Sequence, residues 1–240
     1  MENLNRRKFL QVSAAAGALV ISAPSISFAQ SANSDRYRNL DTNLGFYLKI
    51  DADNTVTIGY SVPDDGTGVS TALPMLVAEE LDVDFDAVGV EKLPPLYKEN
   101  DGSNPRGGDD PYINQTYKGR SIHQSTGGSQ AIRQSYEMLR QAGAEARALL
   151  MKAASEQLGV SMSDLNTENG YVLNGSKKLS YGSLAAKAAD VKLDFEPKLK
   201  TPDEYKIIGT DQGQKVAQDV ATGEQKYCSD MELPGMLSAV

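Results

Sequence analysis

Apolar and polar side chains alternate along residues 45 to 62, GFYLKIDADNTVTIGYSV, on both sides of Asp51-Ala52-Asp53-Asn54. A two-residue period interrupted by turn formers predicts a β-hairpin. The period then changes. Val69, Leu73, Leu76, Val77, Glu80 and Leu81 recur at helical spacing and predict a helix over 69 to 82, with Ser70 or Thr71 as N-cap and Pro74 tolerated in the first turn. Residues 87 to 93, AVGVEKL, read as a short strand. The longest helical stripe runs from about Gly128 to Leu158, where Ile132, Tyr136, Leu139, Gly143, Ala146, Leu149, Leu150 and Ala153 follow at steps of three or four. A hairpin turning at Asn174-Gly175 precedes a helix that Ser180 caps.

Between these elements, residues 94 to 124 are rich in Pro, Gly, Asn and Asp and show no period, which predicts a long functional or mobile loop. Residues 30 to 43 read as a polar linker, and the chain from Asp194 onward as extended. Strand pairs mixed with helices, without regular alternation, favour an α+β fold with a mixed sheet and packed helices.

The first 29 residues combine a basic start, Arg6-Arg7-Lys8, with the run LQVSAAAGALVIS and a small-x-small cleavage motif ending at Ala29. This is the pattern of an export signal, and RRKFLQ is similar to the twin-arginine type; an ordinary secretory signal is the alternative. The apolar run is shorter than the roughly 20 residues that span a bilayer. The expected product is a soluble periplasmic chain starting near Gln30. Loss of residues 1 to 29 removes Arg6, Arg7 and Lys8 against Glu2, which takes the formal charge from −8 to −10. So acidic a chain is a poor nucleic-acid partner, because that binding needs a dense basic footprint. One cysteine, Cys228, and one histidine, His123, exclude an internal disulfide, a cysteine-ligated iron–sulfur cluster and a c-type haem site within this chain. His123 has no other His or Cys near it in sequence and is not expected to bind a metal. Cys228 reads as a small, partly buried side chain near a domain edge.

Two helix starts carry glycines. Gly66-Thr67-Gly68 precedes the first helix, and Ser125-Thr126-Gly127-Gly128-Ser129 precedes the long one. A helix N-terminus leaves backbone N–H groups unpaired and bears partial positive charge, so it can hold an anion without Lys or Arg. Glycine opens the backbone to the anion, and Ser125, Thr126 and Ser129 add hydroxyls. Glycine before a helix is also an ordinary turn with an N-cap. Neither stretch is a Walker loop or a dinucleotide fingerprint, so spacing alone leaves the ligand open.

The runs GFYLKIDADNTVTIGYSVPDDGTGVSTALPMLVAEELDVDF, STGGSQAIRQSYEMLRQAGAEARALLMKAASEQLGV, LSYGSLAAKAA, LKTPDEYKIIG and DMELPGML occur in an order that resembles the N-terminal third of the molybdenum-binding large subunit of the xanthine dehydrogenase and aldehyde oxidase superfamily. The nearest branch is the exported isoquinoline 1-oxidoreductase β-subunit type. Its first motif reads Glu-Met-Gly-Gln-Gly-x-x-Thr. Gly66, Gly68 and Thr71 match it, Asp64 and Asp65 stand for Glu-Met, and Thr67 stands for the pterin-contacting glutamine.

The resemblance implies that Gly66, Thr67, Gly68, Thr71, Ser125, Thr126, Gly127, Gly128 and Ser129 bind molybdopterin cytosine dinucleotide. Added to the twin-arginine signal read over 1 to 29 and the linker over 30 to 43, it implies a partial molybdopterin-binding α+β domain over 44 to 193. Residues 194 to 240 would lead into a truncated α/β hammerhead-type domain. It further implies hydroxylation of an N-heterocycle or oxidation of an aldehyde, with oxygen from water. The partners it suggests are a [2Fe-2S] small subunit, the rest of the molybdenum subunit as a separate chain, and a c-type cytochrome acceptor. The family's catalytic base maps to no residue here, and Glu79 and Glu80 are expected on a solvated helix face. The alternative is a non-catalytic homologue that keeps the shape without cofactor.

Overall fold

In the computed structural model, residues 11–15, 18–22, 46–92, 115–117, 120–122 and 126–237 are described. The fold is α+β. A five-stranded sheet runs in the order β1 (Gln11–Ala15), β2 (Ala18–Ser22), β3 (Phe46–Ile50), β4 (Val56–Tyr60), β5 (Gly89–Lys92). Neighbours are antiparallel except β4 and β5, which are parallel and joined across α1 (Val69–Leu81). A parallel pair needs such a crossover, because a tight turn cannot return the chain to the same end.

The hairpin expected over 45 to 62 is β3–β4. Register pairs Leu48 with Ile58 and Ile50 with Val56, so alternate residues share one face, and all four are buried. Asn54 closes the turn at φ 74°, a value Asn tolerates better than most residues. The outer strands β1 and β2 come from the stretch read as an export signal. In the full chain β2 pairs with β3, with Leu19 opposite Ile50 and fully buried, and β1 pairs with β2 at the sheet edge. The rest of residues 1 to 29 and the linker at 30 to 43 lie outside the described residues.

Helix α1 lies over β4 and β5, and α3 (Tyr181–Asp190) over β1 and β2. Helix α2 (Ala131–Leu158) packs on both helices. A small sheet of β8 (Asn166–Glu168), β9 (Tyr171–Asn174) and β10 (Lys177–Ser180) carries the expected turn, and Ser180 caps α3 by accepting the Ser183 N–H at 3.2 Å. Part of the stretch read as an unbroken loop is structured. Gln115–Tyr117 (β6) and Arg120–Ile122 (β7) form an antiparallel ribbon with Lys118 and Gly119 between them in sequence. Three-residue strands are too short to announce themselves by period. Among the described residues, the tail beyond residue 194 is irregular, with one short α-helix, α4 (Ala217–Thr222), and 3₁₀ turns at Pro202–Glu204 and Cys228–Asp230, so the extended reading fails there.

Candidate functional site

At the α1 mouth, the glycines are required by the backbone. Gly66 has φ 99° and Gly68, the N-cap, φ 77°, conformations that L side chains adopt only under strain. The expected caps Ser70 and Thr71 are the second and third residues of the helix, and another residue does the capping. Asp64 Oδ1 accepts the N–H groups of Gly66 at 3.0 Å and Gly68 at 3.1 Å, and Oδ2 accepts the Ser70 N–H at 3.0 Å and its hydroxyl at 2.5 Å. Partial burial pushes the Asp64 carboxyl up. The Ser70 hydroxyl and the Ser70, Gly68 and Gly66 amides outweigh that, and its pKa lies below the usual value. Thr71, expected to face a cofactor, is buried, and its hydroxyl oxygen accepts the Lys215 N–H at 2.9 Å. Of the first motif, Thr67 is left exposed at the tip.

The α2 mouth is built differently. Thr126 leads into a single 3₁₀ turn, Gly127–Ser129, and α2 begins at Ala131 behind Gln130, which makes no side-chain cap. Gly128 and Ser129 both have positive φ, 65° and 54°, and Gly127, Gly128 and Ser129 are exposed. A Cβ on Gly128 would meet only the flexible end of Gln130. The Thr126 hydroxyl reaches Asp65 Oδ2 at 3.5 Å, so the two motifs, 61 residues apart, adjoin in space. Ser125 and His123 lie outside the described residues, as does the Cys228 side chain.

The α2 mouth sets an exposed glycine turn before a long helix whose N-cap, Gln130, makes no side-chain cap, a setting that can take an anionic group. At the α1 mouth the Asp64 carboxylate already holds the Gly66, Gly68 and Ser70 amides.

Glu79 and Glu80 correct the sequence reading. Both are completely buried. Glu80 pairs with Arg140 of α2, whose Nε donates to Oε1 at 2.8 Å, and with the Lys200 N–H at 3.1 Å. Glu79 Oε2 accepts three successive backbone N–H groups, from Lys206 at 2.9 Å, Ile207 at 2.6 Å and Ile208 at 2.9 Å, while Oε1 receives Lys200 Nζ at 3.0 Å. Lys200 Nζ also reaches Asp82 Oδ1 at 2.6 Å, and Arg147 holds Asp82 Oδ2 at 3.1 Å. A stack completes the group, with the Arg140 guanidinium 5.2 Å from the ring centres of both Tyr136 and Tyr205. Burial raises the Glu79 carboxyl, but the Ile208 and Ile207 amides and Lys200 bring it below the ordinary value.

The network straps residues 200 to 208 across α1 and α2, and the strap continues to Lys215 at the α1 mouth. Sequence reasoning missed its partners, although the helical spacing had already set Glu80 on the apolar stripe of α1. Among the described residues, no group of three or more His, Cys, Asp or Glu side chains could hold a metal ion, and no helix is long and apolar enough to cross a membrane.

The chain resembles the molybdenum-binding large subunits of the xanthine dehydrogenase and aldehyde oxidase superfamily. No family model matches the chain. Among individual relatives, it is 30% identical to the isoquinoline 1-oxidoreductase β-subunit of Brevundimonas diminuta in an alignment 267 positions long that covers 97% of this chain and 31% of that protein. It is 29% identical over 200 residues to a nicotinate dehydrogenase subunit of Pseudomonas putida, covering 82% of this chain and 15% of that one. The chain thus spans under a third of these curated relatives. Among solved structures, quinoline 2-oxidoreductase from Pseudomonas putida 86 aligns at TM-score 0.40 and 17% identity over 58% of this chain and 15% of that one. CO dehydrogenase from Oligotropha carboxidovorans aligns at 0.41 and 18% over 63% and 17%.

Proposed function

We propose that this chain is the N-terminal portion of the molybdopterin-binding subunit of an exported molybdenum hydroxylase, acting on N-heterocycles or aldehydes. The observation that carries the reading is the similarity to the isoquinoline 1-oxidoreductase β-subunit along 97% of the chain, and the exposed glycine turn before α2 supports it. Thr126, Gly127, Gly128 and Ser129 would hold phosphate and pterin oxygens of molybdopterin cytosine dinucleotide, with Ser125 preceding them in sequence. Thr67 would offer a hydroxyl from the neighbouring tip. When bound, the cofactor supplies the metal that activates water-derived oxygen. This chain's part is to bind and orient it by backbone donors, which suits an acidic protein without a basic phosphate clamp. Electrons would leave through a [2Fe-2S] subunit, with a c-type cytochrome as acceptor. The signal-like residues 1 to 29 support periplasmic export by the twin-arginine route.

The test is purification of the exported assembly with and without Gly128→Asp, which adds bulk and like charge at the α2 mouth. Molybdenum and acid-released cytidine monophosphate should be present in the parent and absent in the variant. Equal content in both would remove the assignment. A second reading, a non-catalytic homologue, draws on the α1 mouth, where Asp64 and the Lys215 N–H engage groups expected to face cofactor. It predicts a parent chain with neither marker.

A further inference from the structure

We infer that the edge of β3, with α3 lying over it, is a strand-docking site, filled here in cis by residues 11 to 22 and open to an uncharged apolar strand of a partner polypeptide once those residues are removed. It rests on the export reading only for how the site is vacated. The occupant seen in the structure defines what fits. β2 runs antiparallel to β3, with Leu19 opposite Ile50, Val20 opposite Lys49 and Ile21 opposite Leu48. Leu19, Leu48 and Ile50 are wholly buried and share one core cluster with Leu184, Ala185 and Ala188 of α3, the helix that lies over β1 and β2. Neither strand, QVSAA or ALVIS, carries a charge. Lys49, which alternation sets on the other face of β3, is already paired with Asp51 at 3.0 Å, so the site calls for no charge on its occupant.

Cleavage after Ala29 would take β1 and β2 away together. β3 would become the sheet edge with a row of unpaired N–H and C=O groups, and Leu48, Ile50 and the apolar side of α3 would lose cover. Such an edge is a ready template for another chain. Main-chain bonds then supply affinity, and the pockets for alternate side chains supply selectivity. The fit here is an antiparallel strand of the length of β2, with apolar side chains opposite Ile50 and Leu48.

Strand exchange tests it. The full chain with a specific protease site set within residues 30 to 43 is cut after folding and titrated with a fluorescent peptide of residues 9 to 24. The peptide should bind saturably and displace the cut fragment, read by anisotropy and by the mass of the complex. Hydrogen exchange at residues 48 to 50 should accelerate when the fragment is washed away and slow again with peptide. Uncut protein should bind about tenfold more weakly or worse, because an occupied face leaves only a small competent fraction. A Leu19→Asp peptide should not bind, since it would bury an unpaired carboxylate against Ile50. Where the fragment resists removal, Leu19→Asp in the full chain empties the face without a cut, and that variant should bind the parent peptide as the cut protein does. Absence of saturable binding to both forms, equal binding to uncut protein, or a Leu19→Asp peptide that binds as well as the parent would overturn the inference. So would a cut protein that pairs with a second copy and that the peptide does not return to monomer. None of these readouts involves molybdenum or export, so failure here is distinct from failure of the hydroxylase reading.

Discussion

Gly143 of α2 stands so close to Val77 of α1 that a Cβ built on it would lie 2.4 Å from the Val77 carbonyl oxygen and 2.9 Å from Glu80 Cβ. The helices meet there backbone to backbone, one turn from the Glu80–Arg140 pair. Gly143→Ala should therefore separate them and destabilise the fold by about 3 kcal/mol, the upper end for overpacking. The gain in helix propensity, about 1 kcal/mol, is too small to offset it. Urea unfolding followed by circular dichroism measures the difference, and an unchanged midpoint would mean that the crossing is looser than described.

A second close approach ties α3 to the β3–β4 turn. A Cβ on Gly182 would lie 2.6 Å from the Asn54 nitrogen and the Asp51 carbonyl oxygen, while the Gly182 N–H donates to Asn54 Oδ1 at 2.8 Å. Rigid backbone on both sides leaves nothing to yield. Gly182→Ala is expected to cost at least as much as Gly143→Ala, while Asn54→Ala, which removes the acceptor and a favourable left-handed residue, should cost about 1 to 2 kcal/mol. Thermal melts of the two variants give the ranking.

Glu79→Ala should release the strap. Three successive amides, at Lys206, Ile207 and Ile208, lose their acceptor together, and Lys200 keeps only part of its pairing. Removing one member of a buried charge group costs about 3 to 5 kcal/mol. Hydrogen exchange at residues 206 to 208 should accelerate far more than exchange in β3 and β4, and proteolysis should begin between 195 and 215. Uniform acceleration would instead indicate global destabilisation.

Acid should weaken the fold through these same carboxyls. Burial raises Asp64, Glu79 and Asp82, but their donors win, and all three titrate below their ordinary values in the folded chain. A depressed folded value means that the unfolded chain binds more protons over the window between the two values. The stabilisation is complete above the unfolded value and is lost as pH falls through the folded one. The melting temperature should hold near neutrality and decline below about pH 4, and Asp64→Asn should make that decline shallower. A melting temperature that rises on acidification would contradict the network.

Local pattern was enough to reveal most of the elements. The two-residue period at 45 to 62, the stripe of α1 and the long stripe of α2 depend on neighbours within a few positions, and all three appear where the spacing put them. Ser180 was readable as a cap for the same reason, because the cap and its amide are three residues apart. The three-residue strands β6 and β7 were not, since no period develops over so short a run.

The glycine motifs were visible as motifs, and the chain itself places one before each of the two long helices. What those mouths hold could not be read from spacing. Asp64 folds back over six residues to fill one of them, and Thr71 is engaged by Lys215, 144 positions away. Glu79 and Glu80 show the same division. Their charge suggested solvent, yet the fold brings Arg140 and Lys200 over them, and a buried carboxylate is stable only when distant donors surround it. Backbone preference and hydrophobic period are local properties and survive reading one residue after another. Satisfaction of a buried charge is a property of the packed chain, and here only the assembly of α1, α2 and the 200 to 208 strap decides it.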